Sequence, residues 1–548
     1  MLAVLSAAVV AVFWPTLFFD FIYDDQSHIT SEPLVHAWNS LFRVFFVPTK
    51  PGDLYRPVSM VSFGVTWALF GRDPLPFHLT NILIHIIVCS LFYALLKNFF
   101  AQKLAACAAL LFALHPLHAE VVSVIYNRTE SLAALFGLST LLVLLPKSEK
   151  QGKGKSFFRY LCAALLFFAA LCSKESALSF IPISAALILA RHGLKGGALR
   201  ATFAVASLST AVIFYFALRV VAAVPIGTAE INYIDNFLKF EPAAPRILYA
   251  LALLGRYLYL CIVPSLPRVD YSYPVIGLGS VSASLPEYLL LLGVAAILVG
   301  IMMARGKKEG VFGVWFFCGF LVTANIFFPI GTAFAERLAY VPSMGVCAVV
   351  AALLFEVPYR HVGVVLFGVL LVASSYFCVR GLSPYENDNT LWKRAAEQTP
   401  DNVRAQHYYS IGLLRQSDLS NVIEHESIAL SLYPEFIPGR VLVQRALEAE
   451  GSSANKSSIV IPLPETNPQY TLGYEALGWD ELKLSELDAA ARDFKKALQF
   501  SPHFQPALLG LYTVALKQSD STQALALRDK LSAATTRDPR FQELRSAE

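Results

Sequence analysis

Nothing constrains this chain more than its apolar runs, each roughly 17 to 22 residues long, which recur from its start to about Arg380. At 1.5 Å per residue a helix of that length crosses ~30 Å of hydrocarbon, where only hydrogen-bonded helices or closed barrels satisfy the backbone. Composition agrees: the 548 residues are 56% hydrophobic and 15% charged, with a mean hydropathy of +0.54. A disordered chain, a disulfide scaffold and a nucleic-acid binder are excluded, because the net charge is only +4 and no long Lys/Arg block could track phosphates. All eight cysteines precede residue 380, mostly inside apolar runs, and read as small buried residues.

The expected architecture is all-α: a polytopic transmembrane helix bundle over 1–380, then a soluble tail over 381–548, where charge rises and no run could span. Lys and Arg are retained on the cytoplasmic side during insertion. This assigns the loops Lys97–Lys103, Lys147–Lys155, Arg191–Arg200 and Arg305–Lys308 to that side. The first helix, about 1–19, has neither a charged n-region nor a small-residue cleavage site and reads as an uncleaved anchor running outward. Crossings follow near 78–97, 104–120, 129–146, 157–173, 177–192, 200–221, 286–304, 312–331, 338–356 and 361–380, eleven in all, which puts the tail outside the cytoplasm. Residues 247–263 are apolar enough to cross, yet counting them would invert the Arg305–Lys308 loop. They read as a re-entrant or interfacial segment, in keeping with Pro264, Pro267 and Pro274 just beyond.

In the tail, Pro400, Pro434, Pro468 and Pro502 recur every 34 residues, the period of tetratricopeptide helix pairs. The unit ending at Pro502 is best formed: Leu477 and Gly478 permit close packing of its first helix, and Ala490, Phe494 and Ala497 take the knob and gap positions of the second. The unit between Pro434 and Pro468 is degenerate, with a polar insertion Gly451–Ser458 and a short apolar run Ile459–Leu463. Such an α-solenoid offers a concave surface to a protein or peptide partner.

Chemistry is expected among the ionisable groups of the membrane half, where each costs roughly 2.5–3.5 kcal/mol at the centre of a span. They gather on the outward side. Asp24 and Asp25 follow the first helix, Arg56 lies further along the same loop, and His78 and Asn81 open the second crossing. His115, His118 and Glu120 close the third, Arg128 and Glu130 open the fourth, and Lys174 with Glu175, like Glu336 with Arg337, form later outward turns. Carboxylates beside fixed cations suit a reaction in which an acceptor loses a proton while an anion leaves. A lipid-phosphate donor fits, its tail in the bilayer and its headgroup in the polar cluster. Arg56, Arg128, Lys174 and Arg337 serve equally well as phosphate clamps or as partners for Glu120, Glu130, Glu175 and Glu336. His78 suits hydrogen bonding or ligand contact rather than the role of a base. His115 and His118, with Glu120 nearby, can share a helical face and raise a divalent metal as a lesser reading, against which Pro116 and the lack of a longer ligand motif both count.

The run Ile22-Tyr23-Asp24-Asp25-Gln26-Ser27-His28 resembles the acidic motif of GT-C glycosyltransferases. More specifically, Tyr55-Arg56-Pro57-Val58-Ser59, Phe77-His78-Leu79-Thr80-Asn81, His115-Pro116-Leu117-His118-Ala119-Glu120, Ser173-Lys174-Glu175 and the stretch from Ala335-Glu336-Arg337 to Gly345 occur in order. That ordered set is similar to the transmembrane and tetratricopeptide repeat-containing (TMTC) O-mannosyltransferases, over nearly the whole membrane half and on into a repeat tail. The resemblance implies a GT-C-type bundle and transfer of a sugar, typically mannose, from a polyprenyl phosphate to Ser or Thr hydroxyls of exported proteins. It places Asp24 at the catalytic acid position and Asp25 at the adjacent one. The short, degenerate repeat array departs from animal members, and the compact size implies a bacterial homologue in the inner membrane with periplasmic repeats and undecaprenyl phosphate; the alternative is the endoplasmic reticulum with luminal repeats. Two other functions stand beside this one: a GT-C transferase acting on a lipid or glycan acceptor, and a non-catalytic membrane-anchored repeat scaffold.

Overall fold

The computed structural model describes residues 1–36, 38, 41–47, 54–146, 153–224, 231–434, 436–449, 474–475, 478–479, 481–482, 487–500, 502 and 504–531. The loop 147–152, the insertion 451–458, the run 459–463, Pro468 and Leu477 lie outside them. Among the described residues the secondary structure is helical, with no strand. The chain divides into a membrane unit that reaches Arg394 and a second unit made of the chain from Ala395 onward together with Ser31–Leu34.

Six helices are long and apolar enough to cross a membrane: Pro74–Leu96, Glu175–Val221, Ala243–Ile262, Leu285–Ala304, Glu336–Glu356 and Arg360–Glu386. A seventh span results if Gln102–Ala113 and Pro116–Ser123, bent by 53°, count as one. Other expected crossings are shorter apolar helices, among them Leu2–Phe18 and Ser156–Leu171, Arg128–Leu144 and Lys308–Gly319. Local chemistry sets several of these boundaries. Asp73 accepts the N–H of Leu75 at 3.0 Å and Pro74 fills the first helical position, which starts Pro74–Leu96. Gly193, at φ 68°, breaks 180–221 into the two arms anticipated at 177–192 and 200–221.

Three segments differ from expectation. The crossing near 104–120 is bent, because His115 is extended and Pro116 has no N–H to continue the ladder. The crossing near 312–331 stops at Gly319. Beyond it Asn325, at φ 59°, holds irregular chain, donating to the Thr332 carbonyl at 3.1 Å and accepting from the Ile330 N–H at 2.8 Å. The segment 247–263 is not broken; it is the continuous helix Ala243–Ile262, and the prolines fall after its end. Its flanks nevertheless meet: the Tyr273 N–H donates to the Ile234 carbonyl at 2.9 Å. Both flanks also reach the segment before Arg337, through Ala333 N–H to Asp235 O (3.0 Å) and Arg268 N–H to Glu336 (3.1 Å).

Basic residues tie the opposite end of the bundle. Lys308 donates to the Phe99 carbonyl at 3.3 Å, and Arg191 to the carbonyls of Leu145 and Pro146 at 3.0 Å each. At the other end, the Asp20 N–H donates to Glu386 O at 2.9 Å, so the last apolar helix finishes beside the loop that carries Asp24.

The second unit repeats its geometry with its sequence. Gln406 donates to the Pro400 carbonyl at 2.7 Å, and one period later Arg440 donates to the Pro434 carbonyl at 2.8 Å. Ser417 and Ser519, three periods apart, are both left-handed at φ 59°, and Asp418 and Asp520 each cap the helix that follows. Phe494 is fully buried between Ala490 and Ala497, and Gly478 leaves room for its ring.

Candidate functional site

The loop after the first helix is pinned from three directions. Tyr23 is left-handed, at φ 45°, a conformation that costs a non-glycine residue about 1–2 kcal/mol. Its N–H donates to the Asp388 carboxylate at 2.7 Å, and its ring meets Trp392 edge-on at 5.1 Å. Asp25 is fully buried. One of its oxygens accepts from the N–H groups of Ile22 (3.1 Å) and Ile125 (3.4 Å), the other from Tyr126 (2.6 Å). Burial pushes its pKa up to about 8, and the three backbone donors offset this only in part. Asp25 is thus a fastener between the loop and the 125–126 turn. Asp24, held between these anchors, is partly exposed, and no hydrogen bond among the described residues engages its carboxylate.

Around it the acids and bases singled out in the sequence pair off. Arg337 donates to Glu120 from its guanidinium at 2.5 Å and from its N–H at 3.3 Å. Lys174 pairs with Glu130, which also accepts from Ser176 at 3.5 Å. Arg56 donates to one oxygen of Glu175 through two nitrogens, 3.1 Å each, while Arg219 lies 3.7 Å from the other. These pairs form one electrostatic group: Lys174 senses the charges of Arg56 and Arg337, and Arg337 senses that of Asp24. Glu336 points elsewhere, accepting the Tyr271 hydroxyl and the Arg268 N–H.

The remaining candidates do not converge on Asp24. Arg128 is fully buried; it donates to Asn81 Oδ1 (2.7 Å), the carbonyls of Ser62 (3.2 Å) and Phe77 (3.0 Å) and the Thr66 hydroxyl (3.2 Å), and it lies over the Phe63 ring. Asn81 closes that network by donating to the Val122, Val124 and Ile125 carbonyls at 3.3–3.5 Å. His115 caps the turn at Pro116, accepting the Leu117 N–H at 3.3 Å and bonding to the Cys261 carbonyl at 3.1 Å. His118 bonds to Ser343 at 3.1 Å, and His78 is buried beside Phe19. Among the described residues no group of three His, Cys, Asp or Glu side chains is arranged to hold a metal ion. Sequence reasoning missed Arg219 and Asp388. The first was visible only as a basic residue near the end of an apolar run, the second only as one acid in a polar stretch.

The fold and this site define a membrane-embedded helical protein with an ion-paired polar cluster at one end and a tail of 34-residue helical repeats. Over 95% of its length the chain is 22% identical to the human Protein O-mannosyl-transferase TMTC3, of which it covers 63%. It is 25% identical to human Protein O-mannosyl-transferase TMTC4 over 72% of the chain and 61% of that protein. A 201-residue stretch, 35% of the chain and 24% of the relative, is 33% identical to Protein O-mannosyl-transferase tmtc2 of Xenopus laevis. The chain is a TMTC-like protein, and it spans less than two thirds of the length of these relatives. No family model matches it, nor does any solved structure at a significant level.

Proposed function

We propose that this chain is a membrane glycosyltransferase that moves a sugar, mannose by analogy with its relatives' names, from a polyprenyl phosphate to Ser or Thr hydroxyls of exported proteins. Asp24 is the base. One observation carries the reading. Of the six acids singled out in the sequence, Asp25, Glu120, Glu130, Glu175 and Glu336 are all hydrogen-bonded, and the Asp24 carboxylate has no hydrogen bond among the described residues. A carboxylate left open beside Arg337 can take the acceptor's hydroxyl proton, a service worth typically 10²- to 10⁴-fold in rate. The new bond forms between the acceptor oxygen and the sugar's anomeric carbon. The bond to the phosphate breaks on the opposite face, and the prenyl phosphate leaves with the electron pair. Configuration at that carbon inverts, and the nearby cations offset the charge that develops on the leaving oxygen.

The repeats, on the outward side of the membrane, bind the acceptor protein. Support for that side comes from the last apolar helix, which ends at the Asp24 face, and from the basic residues at the other end.

Asp24→Asn in the purified full chain, assayed with a prenyl-phosphate-linked sugar and a Ser/Thr peptide, lowers transfer by roughly 10²- to 10⁴-fold while melting is unchanged. Full transfer by the folded variant, or a product of retained configuration, refutes the mechanism.

A further inference from the structure

Arg256 belongs to the apolar helix Ala243–Ile262 and is half-buried there. A charge in such a helix is expensive and usually marks a partner, a polar cavity or a ligand. Its guanidinium lies over two rings, Tyr271 and Phe334, 5.3 Å from each centroid. Among the described residues it makes no hydrogen bond and no ion pair. The cluster's other cations differ: Arg56 is bonded to Glu175, Lys174 to Glu130 and Arg337 to Glu120. Glu336 senses the charge of Arg256, but its carboxylate already accepts from Tyr271 and from the Arg268 N–H.

Two aromatic rings fix the guanidinium by cation–π contact without using its N–H donors. Those donors form a planar fork that matches phosphate oxygens. Arg268 is exposed nearby, and its charge, like that of Arg256, is felt at Tyr271. The same helix exposes Tyr259 and Ile262, and Val263 follows at its end, each 39–42% exposed, so an apolar tail has a surface to lie on. Glu336 senses the charge of Glu120, the partner of Arg337, as well as that of Arg256, which places this cation near the paired cluster.

We propose that Arg256, with Arg268 at the rim, binds the phosphate of an anion carried on an apolar tail. The site deepens the transferase reading by adding a residue for the donor's phosphate, and it rests on that reading only for which lipid is bound. The phosphate could come from a prenyl phosphate or from an ordinary membrane headgroup.

The test uses the full chain in phosphatidylcholine nanodiscs. Farnesyl phosphate, inorganic phosphate and added phosphatidylglycerol are the probes, with binding read by native mass spectrometry and folding by thermal melting. Farnesyl phosphate is expected to bind more tightly than inorganic phosphate, and Arg256→Gln to weaken it roughly ten- to a hundredfold. Arg256→Lys, which keeps the charge and loses the stacked fork, loses less. Displacement of farnesyl phosphate by phosphatidylglycerol at equal mole fraction identifies a headgroup as the source; its persistence identifies the prenyl phosphate. Either way the phosphate site stands. Unchanged farnesyl phosphate binding in folded Arg256→Gln and Arg256→Lys overturns the proposal, as does a native chain that prefers inorganic phosphate. A chain that binds farnesyl phosphate through Arg256 but transfers no sugar keeps this site and loses the transferase reading. An active chain whose binding ignores Arg256 does the reverse.

Discussion

Arg128→Met separates a structural cation from a ligand-binding one. The Arg128 side chain has five acceptors, the Ser62 hydroxyl at 3.5 Å the longest, and their fates on its removal differ. Ser62 O and Phe77 O lie inside helices, where each keeps a main-chain N–H, and Ser62 O also keeps the Thr66 hydroxyl at 3.0 Å. Asn81 Oδ1 has no such reserve: its bond from Arg128, at 2.7 Å and buried, is the one it makes among the described residues. Orphaning it costs about 1–3 kcal/mol, and the two carbonyl bonds together with the contact to Phe63 add about 1 more, so a loss of about 2–4 kcal/mol is expected. Unfolding of the detergent-solubilised chain, followed by circular dichroism, reads that loss. The companion Asn81→Leu removes the orphan, so the double variant recovers part of it and the cycle shows coupling. If Arg128→Met melts like the native chain and instead weakens donor use, the cation serves a ligand and the reasoning fails.

Three further outcomes follow from the same geometry. Asp25 holds its proton to about pH 8 when folded, whereas the unfolded carboxyl releases it near 3.8. Stability therefore falls as pH rises between those values and levels off above them, and Asp25→Asn flattens the slope; parallel pH–stability curves for the two chains refute the buried proton. Gly510→Leu drives a side chain into the buried Phe494 ring and costs the repeat unit about 1–3 kcal/mol, seen as faster limited proteolysis beyond Arg394 with the membrane unit intact. Protease added to right-side-out spheroplasts of a bacterial host digests the chain beyond Arg394; full protection rejects an outward repeat unit.

What could be read from the sequence was whatever repeats or runs. Hydropathy located the apolar helices because each answers to its own composition, and the 34-residue proline period was realised as matched bonds at Gln406 and Arg440. Lengths were harder. The run near 312–331 looks continuous, but Asn325 is hydrogen-bonded to Asn236 at 2.8 Å across a large sequence separation, a contact that composition does not encode. The re-entrant or interfacial reading of 247–263 came from the side assigned to the Arg305–Lys308 loop, and the prolines said to suit a break lie beyond the end of a continuous helix.

The site divides along that line as well. Its residue types were legible, since acids and bases in an apolar chain stand out, but their roles were not. Asp24 and Asp25 are neighbours with identical side chains. Backbone amides a hundred residues away, at Ile125 and Tyr126, engage the second and leave the first. Arg128 and Arg337 are distinguished in the same way, one by Asn81 and the other by Glu120. Such long-range fixing is thermodynamically accessible because loop-closure entropy grows only with the logarithm of loop length, so the sequence separation of 365 from Tyr23 to Asp388 costs little more than a far shorter loop. An acid that must stay open in a cluster full of cations needs its neighbours' charges already matched. The pairs Glu120–Arg337, Glu130–Lys174 and Glu175–Arg56 do this, leaving the Asp24 carboxylate unbonded on a pinned loop.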